Sequence, residues 1–492
     1  MLGLKQIEEI AIKQQNKPAL ITDDFSFGWT DYKLLVEGNL VNLLKNEYLN
    51  VNTTRAIVMS ENNWKLFILY SCLVTSKIAY SGIDYTMSDE KKIACIKQSG
   101  ANTVFYSENN KPSDVMLEIL STDVKFINLD VIKEETNDDD MNVVELVKKL
   151  NHNDDILSFS FTSGTTGLPK CIYRKSSFDK RRLGIFTNKY EITSDDIYLV
   201  TMPFYHVSVN GWAKLTLVNG GTVVFGDFGN ANDLYYKITN YNITSMLITP
   251  PVLQRLIPVL RKNNYENTSV HFIMVGGKNF PTILKEQAIE LFGPVLNEYY
   301  GSSETGINTL ANSEDMKKYP GASGKFMEGS KLIVLDSEEN ILPADTIGRI
   351  AIESFQCADG YIGKKMAETT FDGERYIITS DYGYLNTEGY IFVTQRILFD
   401  NNDIQNNLFS FENRIRTIRD VEDLVIIQDE NDHYTINVKI NQKSTPMMEK
   451  IIIDTIYGIL AVSQNSFSLN VVQNINYSLS GKVKYNEFLN SK

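Results

Sequence analysis

Short runs rich in β-branched and aromatic residues alternate with longer stretches of helical periodicity from about residue 55 onward. The runs are RAIVMS (55–60), NTVFYS (102–107), VKFINL (124–129), ILSFSFT (156–162), IYLVTM (197–202), TVVFG (222–226), SMLIT (245–249) and HFIMVGG (271–277). Such alternation is typical of βαβ units and predicts mostly parallel sheets. Ligands of these sheets bind in loops beyond the carboxyl ends of the strands. We therefore expect an α/β protein with its site at that edge.

The sequence texture changes after about residue 320. Gly-punctuated runs such as SKLIVLD (330–336), GRIAIES (348–354) and GYIFVT (389–394) predict a β-rich, antiparallel subdomain. The Asn-rich segment DNNDIQNN (400–407) is a plausible linker before a last unit of its own. Since 492 residues exceed what one hydrophobic core usually holds, we place a domain boundary near 396–402.

Charge and cysteine usage exclude several classes of protein. Lys and Arg number 48 against 61 Asp and Glu, and the resulting net charge of −13 argues against nucleic acid as a main partner. The scattered cysteines form no CxxC pair, which favours a reducing compartment, by default the cytoplasm. No signal peptide is expected from MLGLKQIEEIAIKQQ. The apolar stretch from Trp64 to Val74 is too short to span a membrane and contains Lys65, so we predict a buried helix.

The segment FTSGTTGLPK (161–170) is the most informative one for chemistry. Two glycines and four hydroxyl residues in a row cannot pack a core. They leave backbone N–H groups and short side-chain donors available, as a loop around a polyphosphate requires. Lys170 adds a positive charge. The spacing differs from GxxxxGK[ST], so a Walker-type NTPase is not indicated.

This loop resembles the signature of the adenylate-forming enzymes, which include acyl- and aryl-CoA synthetases. Further motifs of that family follow in order: MPFYH (202–206), VGGKNFP (275–281), EYYGSSETG (298–306), TSDYGYLNTEGY (379–390) with Arg396 after it, and SGKVKYNEF (480–488). The resemblance covers residues 10 to 490. It implies a large N-terminal domain of parallel-sheet α/β subdomains plus a β-rich subdomain over 1–396, a hinge over 397–402, and a small mobile α+β lid domain over 403–492.

The resemblance also implies a reaction. A carboxylate attacks the α-phosphorus of ATP, pyrophosphate leaves, and a thiol such as that of CoA then attacks the acyl-adenylate and releases AMP. ATP, Mg²⁺ and CoA are the expected cofactors. The residues implied for the phosphates are Thr162, Ser163, Gly164, Thr165, Thr166, Gly167 and Lys170, with Thr166 also counted as catalytic. Glu304 is implied as the Mg²⁺ ligand and as catalytic, because hard oxygen ligands suit that ion.

The nucleoside would be held by residues of four motifs. By the same resemblance, Tyr300, Gly301 and Ser303 lie along the adenine, and Gly276 and Gly277 close its other side. Asp381 accepts hydrogen bonds from the ribose hydroxyls, and Arg396 lies near the ribose and phosphate.

Two further residues are implied as catalytic. His206 corresponds to a residue at the acid pocket. Lys482 corresponds to a mobile lysine that bridges the attacking carboxylate and the α-phosphate, since the Ser-Gly-Lys spacing selects it over Lys484.

The chain departs from the family pattern at several positions. Cys171 follows the signature lysine where glycine is usual, Arg349 replaces an acidic residue, and the hinge region carries Leu398 and Gln405. A side chain at Gln405 could narrow the approach of the thiol. Adenylation is therefore better supported than transfer to CoA.

Three functions remain open on the sequence. The first is an acid:CoA ligase for a fatty or other apolar acid. The second is a stand-alone adenylating enzyme that loads the phosphopantetheine thiol of a carrier protein. The third, a weakened binding or regulatory relative, is disfavoured because the predicted charged residues are all present.

Overall fold

The computed structural model describes residues 1–134, 143–150, 154–162, 168–277, 280–396, 415, 418, 421–428, 433–440, 445–460, 467–473 and 475. Its strands are β1 Pro18–Ile21, β2 Ser26–Gly28, β3 Arg55–Met59, β4 Ala79–Gly82, β5 Thr103–Tyr106, β6 Lys125–Asn128, β7 Ser158–Thr162, β8 Lys170–Arg174, β9 Ile197–Val200, β10 Thr222–Phe225, β11 Ser245–Ile248, β12 Phe272–Val275, β13 Leu296–Ser302, β14 Gly306–Asn312, β15 Lys325–Phe326, β16 Ser330–Leu335, β17 Gly348–Ser354, β18 Gly360–Tyr361, β19 Glu368–Phe371, β20 Glu374–Leu385, β21 Ile391–Arg396, β22 Val421–Gln428, β23 Tyr434–Ile440 and β24 Phe467–Val471.

The α-helices are α1 Leu4–Lys13, α2 Trp29–Lys45, α3 Trp64–Thr75, α4 Asp89–Ser99, α5 Asp114–Leu120, α6 Val143–Lys148, α7 Asp179–Tyr190, α8 Val207–Val218, α9 Ala231–Asn240, α10 Pro250–Lys262, α11 Thr282–Phe292, α12 Ser313–Lys318 and α13 Pro446–Leu460. Two 3₁₀ turns cover Glu108–Asn110 and Leu129–Val131.

Two parallel sheets form the larger part of the fold. A nine-stranded sheet has the order β15-β14-β13-β12-β11-β9-β10-β1-β2, and its strands from β13 to β1 run parallel. A four-stranded sheet, β4-β3-β5-β6, is parallel throughout. The predicted α/β class with mostly parallel strands is confirmed.

The strand predicted at 156–162 differs from the other seven. It forms β7, which pairs antiparallel with β8 in a three-stranded sheet of order β18-β8-β7. Residues 163–169 join the two strands, and a parallel crossover needs about a dozen residues or more. The phosphate loop is thus the connection of a hairpin, with Thr162 directly opposite Lys170.

The antiparallel texture after residue 320 also folds as predicted. Strands β16, β17, β20, β19 and β21 form an antiparallel five-stranded sheet. Later in the chain, β22, β23 and β24 form a separate three-stranded sheet, and α13 shares one apolar cluster with that sheet. The hinge predicted over 397–402 lies outside the described residues.

The apolar stretch at Trp64 is a buried helix, as predicted. Helix α3 is apolar over most of its surface because it packs in a core cluster with residues of both parallel sheets, and a helix buried on most faces carries no broad polar stripe. Phe67, for example, packs edge-on against Phe204 and Phe225, with ring centroids 4.6 and 5.0 Å away. Within the described part of the chain, no helix combines the length and apolar character needed to cross a bilayer. The four cysteines, all of them described, carry free thiols.

Candidate active site

The carboxyl ends of β12 and β13 place two predicted motifs side by side. Val275 pairs with Glu298, so Gly276 faces Tyr299 on the neighbouring strand. A Cβ at Gly276 would lie only 2.2 Å from Cε1 of Tyr299, which means that the missing side chain makes room for this ring. Gly277 has a φ of +79°, a backbone conformation that favours glycine.

Tyr300 and Asp381, predicted for adenine and ribose, contact each other. The Tyr300 hydroxyl donates to Oδ2 of Asp381 over 2.8 Å. The two residues are 81 positions apart, and the bond connects the nine-stranded sheet to the five-stranded one. Arg396 pairs with Asp381 through the backbone of β21 and β20, so the chain brings the third predicted residue to the same point.

Glu304 lies in the tight turn between β13 and β14. A Cβ at Gly301 would lie 2.0 Å from the carbonyl oxygen of Gly306, so the turn itself requires glycine at this position. The Glu304 carbonyl accepts a hydrogen bond of 2.7 Å from the Ala358 amide. Its side-chain Oε1 accepts one of 2.8 Å from the Tyr361 hydroxyl.

Lys170 approaches the same tyrosine from the phosphate-loop hairpin. Its Nζ lies 5.5 Å from the centre of the Tyr361 ring, within the range of a cation–π contact. The structure therefore gathers Lys170 and Glu304, which are predicted to act on the ATP phosphates, around one aromatic side chain. Of the phosphate loop, Ser163, Gly164, Thr165, Thr166 and Gly167 lie outside the described residues.

Arg174 holds the backbone of the turn that carries Glu304, and the sequence analysis did not identify it. Its guanidinium donates to the carbonyl oxygens of Ser303 at 2.8 Å and of Gln356 at 3.0 and 3.2 Å. Burial, and to a lesser degree the charge of Arg182, lowers the pKa of Arg174 to about 10. Arg174 thus anchors the backbone next to Glu304. Its place on the strand that Lys170 begins is the one signal that could have pointed to it.

His206 lies at the same edge of the sheet, at the start of α8. Its ring lies against Tyr205 with centroids 4.5 Å apart. Burial raises the pKa of Tyr299 to about 12, and the hydroxyl of Ser208, two residues after His206, opposes that rise. His206 and Tyr300 therefore lie at the same edge of the nine-stranded sheet, at the ends of β9 and β13.

Tyr361 is the second residue that sequence reasoning missed. The sequence contains a Gly-Tyr pair at 360–361, but no local pattern distinguishes this pair from the end of a structural strand. Lys482, Lys278, Leu398 and Gln405 lie outside the described residues. The predicted roles of the site residues remain predictions, although the described ones converge on one edge of the fold.

The comparisons with known proteins agree with this arrangement. A family model described as AMP-binding enzyme matches residues 7–362. The 2-succinylbenzoate–CoA ligase of Oceanobacillus iheyensis is 26% identical over 348 residues, which cover 67% of this chain and 65% of that protein. The 4-coumarate:CoA ligase 1 of Petunia hybrida is 24% identical over 411 residues, which cover 80% of this chain and 67% of that protein. The chain thus spans about two thirds of the length of these curated relatives.

Solved structures share the fold over nearly the whole chain. O-succinylbenzoate coenzyme A synthetase from Bacillus subtilis, in complex with AMP, superposes with a TM-score of 0.78 at 17% identity, covering 99% of this chain and 98% of that one. The amide bond synthetase McbA from Marinactinospora thermotolerans gives 0.77 at 15% identity and 99% of both chains. The family model matches well over half of the sequence, and the chain therefore belongs to the family of AMP-binding enzymes.

Proposed function

We propose that this chain activates a carboxylic acid with ATP and then transfers the acyl group to the thiol of CoA. The observation that carries the proposal is the meeting of Lys170, Glu304 and Tyr361 next to the Tyr300–Asp381 pair. Family membership supports it, and so do the names of relatives, which include CoA ligases for two aromatic acids.

The first step is adenylation. An oxygen of the substrate carboxylate attacks the α-phosphorus of ATP, the bond to the bridging oxygen of the β-phosphate breaks, and pyrophosphate leaves. In the second step the CoA sulfur attacks the acyl carbon of the acyl-adenylate, gives up its proton, and AMP leaves. Both steps build negative charge on phosphate oxygens. We assign its stabilisation to Lys170, joined by Lys482 during adenylation only.

The Tyr300–Asp381 pair would orient the nucleoside. A carboxylate has about four acceptor sites, so Asp381 can accept from the Tyr300 hydroxyl and from ribose hydroxyls at once. The Tyr300 ring would then lie beside the adenine with its rotation restricted by this bond. Holding the ribose fixes the position of the α-phosphate relative to the acid, which is the main requirement for an in-line attack.

Glu304 fits the Mg²⁺ that normally accompanies ATP. A carboxylate oxygen is a suitable hard ligand, and the side chain is half-buried and held by Tyr361 rather than free to rotate in solvent. When bound, Mg²⁺ neutralises charge on the phosphate oxygens and on the leaving pyrophosphate. Lys170 lies over the face of the same ring and would contribute a second positive charge.

We assign the carboxylic acid to the region between α8 and the ends of β12 and β13. His206 packs against Tyr205 there, the Tyr299 ring lies against Gly276, and both tyrosine rings present mainly apolar surface. This favours an acid with an apolar or aromatic body. His206 would act at the carboxylate end of that acid.

The residues over 403–492 would act as a mobile lid on this site. The lid would deliver Lys482 for adenylation and withdraw it for transfer to the thiol. A lysine suits this role because its ammonium is a compact charge on a flexible stem.

One assay tests the proposal: pyrophosphate release with a panel of acids, in the presence and absence of CoA. The panel contains fatty acids of increasing length, 2-succinylbenzoate, 4-coumarate and a polar dicarboxylate, and Glu304→Ala serves as the negative control. We expect release with at least one apolar or aromatic acid, followed by thioester formation when CoA is present. Release without a thioester would favour a carrier-protein or amine acceptor. Absence of release with every acid would contradict the proposal.

A further inference from the structure

Tyr361 is the only residue for which the described part of the structure gives side-chain contacts to both Lys170 and Glu304. Its hydroxyl donates to Oε1 of Glu304 over 2.8 Å, and its ring face lies 5.5 Å from Nζ of Lys170. The two contacts use different parts of one side chain, the polar tip and the aromatic face. One rigid ring therefore sets the separation between a carboxylate and an ammonium.

The chemistry of each contact suits an ionised partner. A hydroxyl that donates to a carboxylate makes a charge-assisted hydrogen bond, which is stronger than a neutral one. The face of an aromatic ring carries negative potential and attracts an ammonium. Neither contact neutralises its partner by an ion pair, so both charges stay available for a ligand.

The backbone around Tyr361 is fixed to the two elements that it connects. On one side, the Asp359 amide donates to the Tyr173 carbonyl at 3.0 Å, and the Ile362 amide donates to that of Cys171 at 2.8 Å, which ties the segment to the phosphate-loop hairpin. On the other side, the amide of Ala358 donates to the carbonyl of Glu304 at 2.7 Å. A ring on so constrained a segment has little freedom to follow either partner.

We propose that Tyr361 is a positioning residue that holds the Glu304 carboxylate and the Lys170 ammonium at a fixed spacing, so that both face one metal-bound triphosphate. The inference rests on the proposed function and adds to it a residue outside the predicted site. Tyr361 does not touch the reacting atoms in this scheme. Its effect passes through Glu304, and to a smaller degree through Lys170.

Two substitutions separate the two contacts. Tyr361→Phe removes the hydroxyl and keeps the ring, so Glu304 loses its donor while Lys170 keeps its aromatic surface. Tyr361→Leu removes both. Tyr390→Phe is the matched control, because the Tyr390 hydroxyl also donates to a carboxylate, that of Asp315 at 2.6 Å, at a place that we assign no role in the reaction.

The primary measurement is the affinity for ATP with and without Mg²⁺, by calorimetry on the full chain. For Tyr361→Phe we expect the affinity for ATP with Mg²⁺ to fall roughly ten-fold, the usual weight of a hydrogen bond to a charged group. The affinity without Mg²⁺ should stay unchanged. Tyr361→Leu should weaken both, and Tyr390→Phe neither. Melting temperatures show whether each variant is folded.

The outcomes distinguish this inference from the proposed function. The inference would be overturned if Tyr361→Phe bound ATP with Mg²⁺ as tightly as the wild type does. It would also be overturned if the variant lost ATP affinity equally with and without Mg²⁺, because that result indicates general damage. If Tyr361→Leu fails to fold, the phenylalanine variant alone decides. A wild-type chain that binds ATP but releases no pyrophosphate would contradict the proposed function and leave this test intact. A chain that binds no ATP would contradict both.

Discussion

At the amino edge of the large sheet, polar side chains next to three neighbouring strands bond to one another, whereas Tyr300 and Glu304 at the carboxyl edge bond to residues of other sheets. Asp196, Thr244 and His271 directly precede β9, β11 and β12. The Asp196 carboxylate accepts from the Thr244 hydroxyl at 2.7 Å, from the His271 ring at 2.6 Å, and from the Thr193 amide at 2.7 Å. All three partners of Asp196 lie in segments that lead into strands of one sheet.

The carboxyl edge is built differently. Tyr300 reaches Asp381 of the five-stranded sheet, and Glu304 reaches Tyr361 of the three-stranded one. Three sheets therefore meet where the predicted ATP site lies, and two carboxylates, those of Asp381 and Glu304, take part in the contacts. We infer that the amino edge serves stability and the carboxyl edge serves chemistry, so substitutions at the two edges should have separable effects.

The largest effect is expected from a residue outside the described part of the structure. If the carboxyl edge depends on a cation supplied by the C-terminal residues, Lys482→Ala should lower the rate of pyrophosphate release on the order of 10² to 10³-fold, as for the loss of one preorganised donor. ATP binding should be spared. Single-turnover release and calorimetry measure the two quantities. Lys484→Ala is the control, and near-normal turnover of the Lys482 variant would reject the assignment.

Asp381→Ala tests the carboxyl edge itself. Loss of the acceptor for the ribose hydroxyls should lower ATP affinity by roughly 10 to 100-fold, with little change in the melting temperature. Calorimetry with ATP and with an analogue lacking both ribose hydroxyls provides the measurement. The wild-type chain should prefer ATP, and the variant should bind both alike. If the variant keeps the preference, Asp381 does not contact the ribose.

The difference between the edges explains how much of the site could be predicted. β-branched runs are local patterns and were sufficient to predict the parallel strands, while the resemblance of short motifs to a family implied the roles of Lys170 and Glu304. The partners of these residues are not local. Tyr361 is 57 positions from Glu304, and Arg174 is 129 positions from Ser303.

Two further findings needed the packed structure. Gly276 is predicted to close one side of the adenine, and the structure adds that its missing side chain makes room for the Tyr299 ring of the neighbouring strand. The strand before the phosphate loop was interpreted with the parallel strands, but it belongs to a hairpin because the loop is short. In both cases the residue pattern allowed more than one arrangement, and contact with the neighbouring strand determined which arrangement formed.

Asp196→Asn tests the amino edge. The amide keeps one acceptor oxygen but loses the charge, so part of a network around a buried carboxylate, whose side chain is 3% exposed, is broken. We expect the free energy of unfolding to fall by about 1–2 kcal/mol. ATP affinity should remain as in the wild type. Urea unfolding and calorimetry give the two values, and a loss of ATP affinity in the folded variant would contradict the separation of the edges.

The smallest effect concerns pH at the same edge. The hydrogen bond to the Asp196 carboxylate raises the pKa of His271 above its usual 6.5, and partial burial opposes this rise. Burial alone would raise the pKa of Asp196, but its hydrogen bonds, first of all the one with His271, lower that pKa below 3.8. A raised histidine pKa contributes stability that is fully present below about 6.5 and disappears as the pH rises through the folded value. The aspartate contribution is present above about 3.8 and disappears as the pH falls.

His271→Gln isolates the histidine part of this dependence. Because the His271 side chain is 46% exposed, its contribution should be no more than about 1 kcal/mol. The difference in unfolding free energy between wild type and variant should therefore be largest near pH 6 and shrink as the pH rises above 6.5. Urea midpoints at pH 6, 7 and 8 measure it. A difference independent of pH would mean that His271 acts at this edge through packing or a neutral hydrogen bond, and the amino edge would then be a polar network without an ionic part.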